Sequence, residues 1–285
     1  MAQKRKKRRR RGRKPGTAAI LLVLLGLALI FLLILRLLLR GGSAEEAPAR
    51  VTAKAQATLP PSYVVSECFG EENGYKTYDS EDVHAKLGVD VSVYQGSIDW
   101  QTVAESDVEF AILRAGYRGY AEGETGVDEY FQYNLEQTAL YGMDVGIYFF
   151  SQAMTEAEAR NEALKVLELV EGYEIKYPIY FDWEPISDGD ARTASISSSE
   201  LTRCAQAFCQ TIESAGYRAG IYFNLDLASH YYHLRDLTEY TFWLAEYQDT
   251  PSFPYAFDMW QYSSTGEVPG ISTIVDLNLS FLPIE

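Results

Sequence analysis

From residue 85 onward, short apolar runs rich in β-branched and aromatic residues recur along the chain. They cover 87–92, 110–116, 145–151, 178–184, 218–224, 241–247, 257–263 and 273–279. Several are too uniformly apolar for a strand with one wet face. Such runs suit a parallel sheet covered on both sides. Amphipathic segments fall between the earlier runs. Thr155 with Glu158, and Ser197 with Glu200, have capping-box spacing and predict helices over 156–171 and 198–215. Gly172 and Gly216 follow where a C-cap is expected. A third helix is predicted over 128–141, ended by Gly142.

Strands alternating with helices place the chain in the α/β class and predict a TIM-like barrel. The last three runs begin 16 residues apart, at 241, 257 and 273. That leaves roughly nine residues per connection, fewer than a crossover helix needs. The expected domain is therefore an irregular (β/α)5(β)3 barrel over 85–285, with helices after the first five strands and loops after that.

The preceding chain has another character. Residues 1–16 form a basic tail, almost wholly Lys and Arg from Lys4 to Lys14. Ala18–Leu35 then runs 18 residues without a charge, and Leu37–Leu39 extend it past Arg36. At about 1.5 Å per residue this is long enough to cross a hydrocarbon layer of about 30 Å. Arg36 can snorkel to the interface. Segment 17–40 reads as a transmembrane signal-anchor, since a cleaved signal has an apolar core of only about 7–15 residues. The basic flank puts the N-terminus in the cytoplasm and the rest outside. The expectation is a single-pass protein of the cell membrane with the lipid bilayer as one partner. Residues 41–84 read as stalk and lead-in. Of these, 41–61 are rich in small residues and end in Pro60-Pro61. Residues 62–84 are acidic with scattered Tyr, and fit either a packed lead-in or more stalk.

Charge sharpens the division. The 285 residues carry a formal −15, but residues 1–54 hold 14 Lys/Arg against Glu45 and Glu46. Residues 55–285 hold 11 Lys/Arg against 38 Asp/Glu. A domain so acidic is excluded as a nucleic-acid binder. With 47% hydrophobic residues it can build its own core. Three Cys without a repeated C-x-x-C call for no metal, and no cofactor is expected.

Active residues of such barrels lie at the C-terminal ends of strands. Those ends offer Asp90, Asp182, Glu184 and Asp276. Asp182 and Glu184 are two apart, so their side chains share one side of a strand. Close carboxylates raise each other's proton affinity, and burial raises it further. One can then donate a proton while another stays ionised, as glycoside hydrolysis requires. A structural ion pair is the bland reading, with Arg114 as the candidate partner. Tyr148, Tyr222, Trp260 and Tyr262 fall near the same ends and could stack on sugar rings.

These residues match a known pattern. Residues 86–285 resemble glycoside hydrolase family 25, the Chalaropsis-type lysozymes. The pieces occur in order: Gly-Val-Asp-Val-Ser-x-x-Gln-Gly at 88–96, Phe-Ala-Ile-Leu-Arg-Ala-Gly-Tyr at 110–117, Gly-Ile-Tyr-Phe-Phe-Ser at 146–151 and Asp-Trp-Glu at 182–184. Gly-Ile-Tyr-x-Asn at 220–224, Trp-Leu-Ala-x-Tyr at 243–247, Trp-Gln-Tyr at 260–262 and Val-Asp-Leu-Asn at 275–278 complete it. The resemblance implies an N-acetylmuramidase acting on peptidoglycan glycan strands, at the β-1,4 bond between N-acetylmuramic acid and N-acetylglucosamine. It implies Glu184 as general acid and Asp182 as stabiliser of the reacting sugar or its acetamido group. Asp90, Asp276, Tyr148, Tyr222, Trp260, Tyr262 and Arg114 would bind substrate. A family 18 chitinase shares Asp-Trp-Glu but normally has another Asp two residues earlier, where this chain has Tyr180. A glycan-binding scaffold without turnover is a further reading, weakened by the retention of all four carboxylates.

Overall fold

A computed structural model describes residues 58–186 and 191–284. The basic tail, the expected membrane span at 17–40 and the stalk up to residue 57 lie outside the described residues. Among the described residues, no helix is long and apolar enough to cross a membrane.

Eleven strands are present among the described residues: β1 (Phe69–Glu72), β2 (Tyr75–Tyr78), β3 (Lys86–Val91), β4 (Phe110–Arg118), β5 (Thr125–Val127), β6 (Asp144–Ser151), β7 (Ile179–Trp183), β8 (Ala219–Asn224), β9 (Thr241–Ala245), β10 (Met259–Gly266) and β11 (Val275–Ser280). Strands β3, β4 and β6–β11 close into an eight-stranded barrel, because β3 pairs with both β4 and β11. The first seven barrel strands run parallel. The last, β11, is antiparallel to both neighbours. The short connections foreseen after 241 allow this reversal, since a hairpin needs no crossover helix. Strand β5, not expected from the sequence, pairs antiparallel with β4 on the outside of the ring.

Side chains alternate along each strand. Phe110, Ile112, Tyr180, Tyr222, Trp243 and Met259 fill the barrel interior, where Phe110 stacks on Tyr177 at 4.2 Å. Their neighbours, such as Leu113, Phe181 and Leu244, belong to the larger outer core. Phe181 meets Phe208 of the covering helix at 5.4 Å. Small residues admit the interior rings. A Cβ on Gly88 would come within 2.3 Å of the Phe110 ring, and one on Gly220 within 2.4 Å of the Tyr180 ring.

Helices α1 (Trp100–Ala104), α2 (Phe131–Leu140), α3 (Glu156–Leu169) and α4 (Ser198–Ser214) follow the first four barrel strands. Gly142, Gly172 and Gly216 follow α2, α3 and α4 with positive φ, as the sequence predicts. The capping box is complete at Ser197–Glu200. At α3 the Thr155 side chain accepts from Glu158 N–H, but the Glu158 carboxylate turns to Met154 N–H and Arg192 instead. After β8 the expected fifth helix is replaced by a π-turn (Leu227–Tyr231) and a 3-10 turn (Leu234–Asp236).

The stretch 62–84 is packed, not extended stalk. Its β1–β2 hairpin turns at Asn73-Gly74, both with positive φ. Phe69 meets Trp260 at 5.2 Å, and Tyr63 donates to Phe257 O at 2.8 Å. The folded domain therefore begins well before residue 85, and these aromatics fix the hairpin to the barrel.

Candidate active site

The C-terminal ends of the parallel strands surround a cleft of about 730 Å³. Asp90 faces it from β3, Asp182 from β7, and Glu184 from the residue just beyond β7. Asp276 reaches the same mouth by a different route. Because β11 is reversed, its beginning lies beside the end of β3, and Asp276 pairs in register with Asp90. All four carboxylates thus line one cleft.

Their surroundings differ. Asp90 is buried, and its Oδ2 accepts from Gln261 Nε2 and Asn278 Nδ2, both at 2.8 Å. Burial raises its proton affinity, while these hydrogen bonds hold it down. Asp182 is equally buried, and its Oδ1 has no hydrogen-bond partner among the described residues. Burial, then the charges of Glu184 and Asp90, push it well above the usual carboxylate range. Glu184 is raised by burial and then by Asp90. Asp276 is raised to about 8, by burial first and Asp90 next. Asp276 therefore keeps its proton at neutral pH, and the cluster does not carry four full charges there.

Glu184 is held from behind. Gln152, fully buried, donates from Nε2 to Glu184 O at 2.8 Å. Its Oε1 accepts from Thr193 Oγ1 at 2.6 Å, and its carbonyl accepts from Arg192 at 2.8 Å. Arg192 in turn pairs with Glu158 at 2.6 Å. The motif Ser-Gln following β6 gave no functional signal in the sequence.

Arg114 lines the cleft but is paired. Its Nε and Nη2 both lie 2.7 Å from Asp128 Oδ2. The ion pair considered between Arg114 and the Asp182–Glu184 pair is thus made with Asp128 instead. Asp128 also accepts from Val93 N–H, tying the loop after β3 to the site. Arg114 lies 5.1 Å from the Tyr94 ring, and Tyr94 is 76% exposed at the rim.

Tyr148 and Tyr222 line the cleft as expected. Tyr247, half exposed, donates to Gln261 Oε1 at 2.8 Å. Trp260 and Tyr262 do not join them. On β10 the inward positions are Met259 and Gln261. Trp260 and Tyr262 therefore point to the outer face. Trp260 is fully buried there, donating to Glu246 O at 2.8 Å and packing against Phe69. The residue between them, Gln261, serves the site. Strand parity within Trp-Gln-Tyr and Val-Asp-Leu-Asn was the signal that would have found Gln261 and Asn278.

A barrel with a carboxylate-lined mouth and tyrosines on its walls suits glycoside hydrolysis. The chain belongs to glycosyl hydrolases family 25, which it matches over residues 89–271. It is 28% identical over 225 residues to the uncharacterised protein YegX of Escherichia coli O157:H7, covering 72% of this chain and 75% of YegX. It is 24% identical to the autolytic lysozyme of Clostridium acetobutylicum, over 67% of this chain and 54% of that protein. The modular autolysin LytC of Streptococcus pneumoniae superposes with a TM-score of 0.62 at 25% identity, covering 74% of this chain and 51% of LytC. LytC has also been solved with a synthetic peptidoglycan ligand. The chain thus spans about half the length of these last two relatives.

Proposed function

We propose that the protein hydrolyses peptidoglycan at the β-1,4 bond from N-acetylmuramic acid to N-acetylglucosamine. The observation that carries this is the buried Oδ1 of Asp182, without a partner among the described residues, in one cleft with Glu184, whose proton affinity is raised by burial and then by Asp90. Glu184 protonates the leaving glycosidic oxygen. Asp182 accepts from the substrate's acetamido N–H, steering the amide oxygen to the anomeric carbon as positive charge develops there. Asp90 and Asp276 form the acidic floor, and Tyr148, Tyr222 and Arg114 contact the sugars. The family membership and the peptidoglycan-bound state of LytC support this substrate class.

The apolar segment 17–40 supports a tethered enzyme, with the N-terminus in the cytoplasm and the hydrolase outside the cell membrane. Such a tether favours local remodelling of the producer's own wall. In untreated spheroplasts the protein should fractionate with the membrane, and protease added outside should remove the hydrolase domain. A domain protected from protease, or recovered in the soluble fraction, would reject the tether.

Digestion of purified peptidoglycan by the full chain, with products read by mass spectrometry, tests the chemistry. Reducing-end muramic acid is expected, and it should disappear in Glu184→Gln. Reducing-end glucosamine would assign the other bond.

A further inference from the structure

A second groove, of about 720 Å³, lies between the β1–β2 hairpin and the upper half of β10. Asn73 and Lys76 line it from the hairpin, Gln248 from the loop after β9, and Ser263 and Thr265 from β10. Tyr247 and Ser264 stand in the walls of both this groove and the catalytic cleft. The two depressions therefore adjoin at these residues.

The groove is built rigidly. Tyr75 OH donates to Glu267 O at 3.0 Å, and Lys76 Nζ to Asp249 O at 2.9 Å. The Tyr247 ring at the junction is fixed by its bond to Gln261. Hydroxyls and amides dominate the lining. Lys76 pairs with Asp249 and lies near the Trp260 ring, leaving Glu71 and Glu267 as the other charges on the groove. An acidic surface of that kind disfavours carboxylates in direct contact with it, so a strand would turn its lactyl or stem-peptide carboxylates to solvent and its neutral sugar faces to the groove. It suits the hydroxyl and amide groups of neutral sugars, with an aromatic face at the entrance. The family match begins at residue 89, after the hairpin that forms one wall.

We propose that this groove is a distal glycan-binding site. It takes N-acetylated hexosamine units of the same strand whose scissile bond occupies the cleft. The proposal rests on the reading of the cleft as a polysaccharide site. It makes the enzyme prefer long strands, because sugars held in the groove add binding that a short fragment cannot reach.

The test compares the full chain with a Gln248→Ala/Thr265→Trp variant, which narrows the groove and touches no cleft residue. Long glycan strands stripped of stem peptides and a tetrasaccharide of the same repeat are the two substrates. Binding is also measured by calorimetry in a Glu184→Gln background, so that a loss of turnover leaves the proposal testable. Expected is an approximately tenfold weaker binding and higher KM for long strands, with the tetrasaccharide unchanged within twofold and Tm unchanged. Equal losses on both substrates, or none on either, would overturn the proposal. Long strands that keep their stem peptides serve as a control substrate, and a loss confined to them would assign the groove to peptide and overturn the proposal too. If the parent cleaves neither substrate yet still prefers long strands in calorimetry, the reading of the cleft fails and the groove stands.

Discussion

Asp90 and Asp276 face one another across the antiparallel pair that closes the barrel. Like charges directly opposite on paired strands repel. Here Asp276 keeps its proton up to about pH 8 and is placed to donate to Asp90, which also accepts from Gln261 and Asn278. The native state then binds more protons than the unfolded chain, where an Asp titrates near 4. Stability contributed by Asp276 is full below about pH 4 and is lost as pH rises through about 8. In Asp276→Asn the amide still donates but does not titrate. Thermal melting across pH 5 to 9 should show a flatter decline than the parent. An unchanged slope would remove Asp276 from this role.

Glu184→Gln should lower kcat by roughly 10²–10⁴-fold with KM little changed, the usual range for losing a general acid. In the parent, activity should fall as pH rises through the raised pKa of Glu184, because the acid must be protonated. Asp90 is one cause of that raised value. Asp90→Asn should therefore move the alkaline limb of the pH–rate profile to lower pH, an outcome readable in whatever activity it retains.

Gln152 acts on the reaction through Glu184 and is a positioning residue. Gln152→Ala frees the Glu184 carbonyl and leaves the Thr193 hydroxyl without its acceptor. A loss of about 1–3 kcal/mol in stability is expected for the orphaned groups. Displacing the acid by about 1 Å can cost on the order of 10²-fold in rate. Steady-state kinetics well below Tm should show kcat falling and KM holding. Equal changes in both would mark a general loss of structure.

Glu162 is fully buried on α3, against Arg118 at 2.5 Å and Ser151 at 2.7 Å. Burial lifts its pKa to about 7 despite those two partners. Glu162→Leu leaves the Arg118 guanidinium uncompensated in the interior. A destabilisation of about 3–5 kcal/mol is expected, and a paired Arg118→Met/Glu162→Leu variant should recover much of it. Denaturant midpoints of the two variants decide this.

The barrel strands were legible because several are apolar on both faces, as in β4 and β7, which leaves a strong local mark. The reversal of β11 was not. Local pattern is blind to strand direction, and Asp276 reads as a strand-end residue whichever way the strand runs. The four carboxylates of the cleft were legible from their type and their place at strand ends. Gln261 and Asn278 escaped because a buried amide announces itself only through its partner, Asp90. Trp260 and Tyr262 were expected at the sugar since aromatic residues bury equally well on either face. Only the parity set by Gln261 separates the two. The hairpin at 69–78 was hidden by its charge: Glu71, Glu72 and Lys76 mask the few aromatics that pack.

Closure of the ring by β3 and β11 also sets when the enzyme comes into being. The acidic floor needs Asp90 and Asp276 side by side, yet nearly the whole domain is synthesised between them. Contacts so distant in sequence form late and slow folding. A nascent chain still emerging carries Asp182 and Glu184 but has no floor and no eighth strand. The cleft is thereby incomplete until the last strand has arrived.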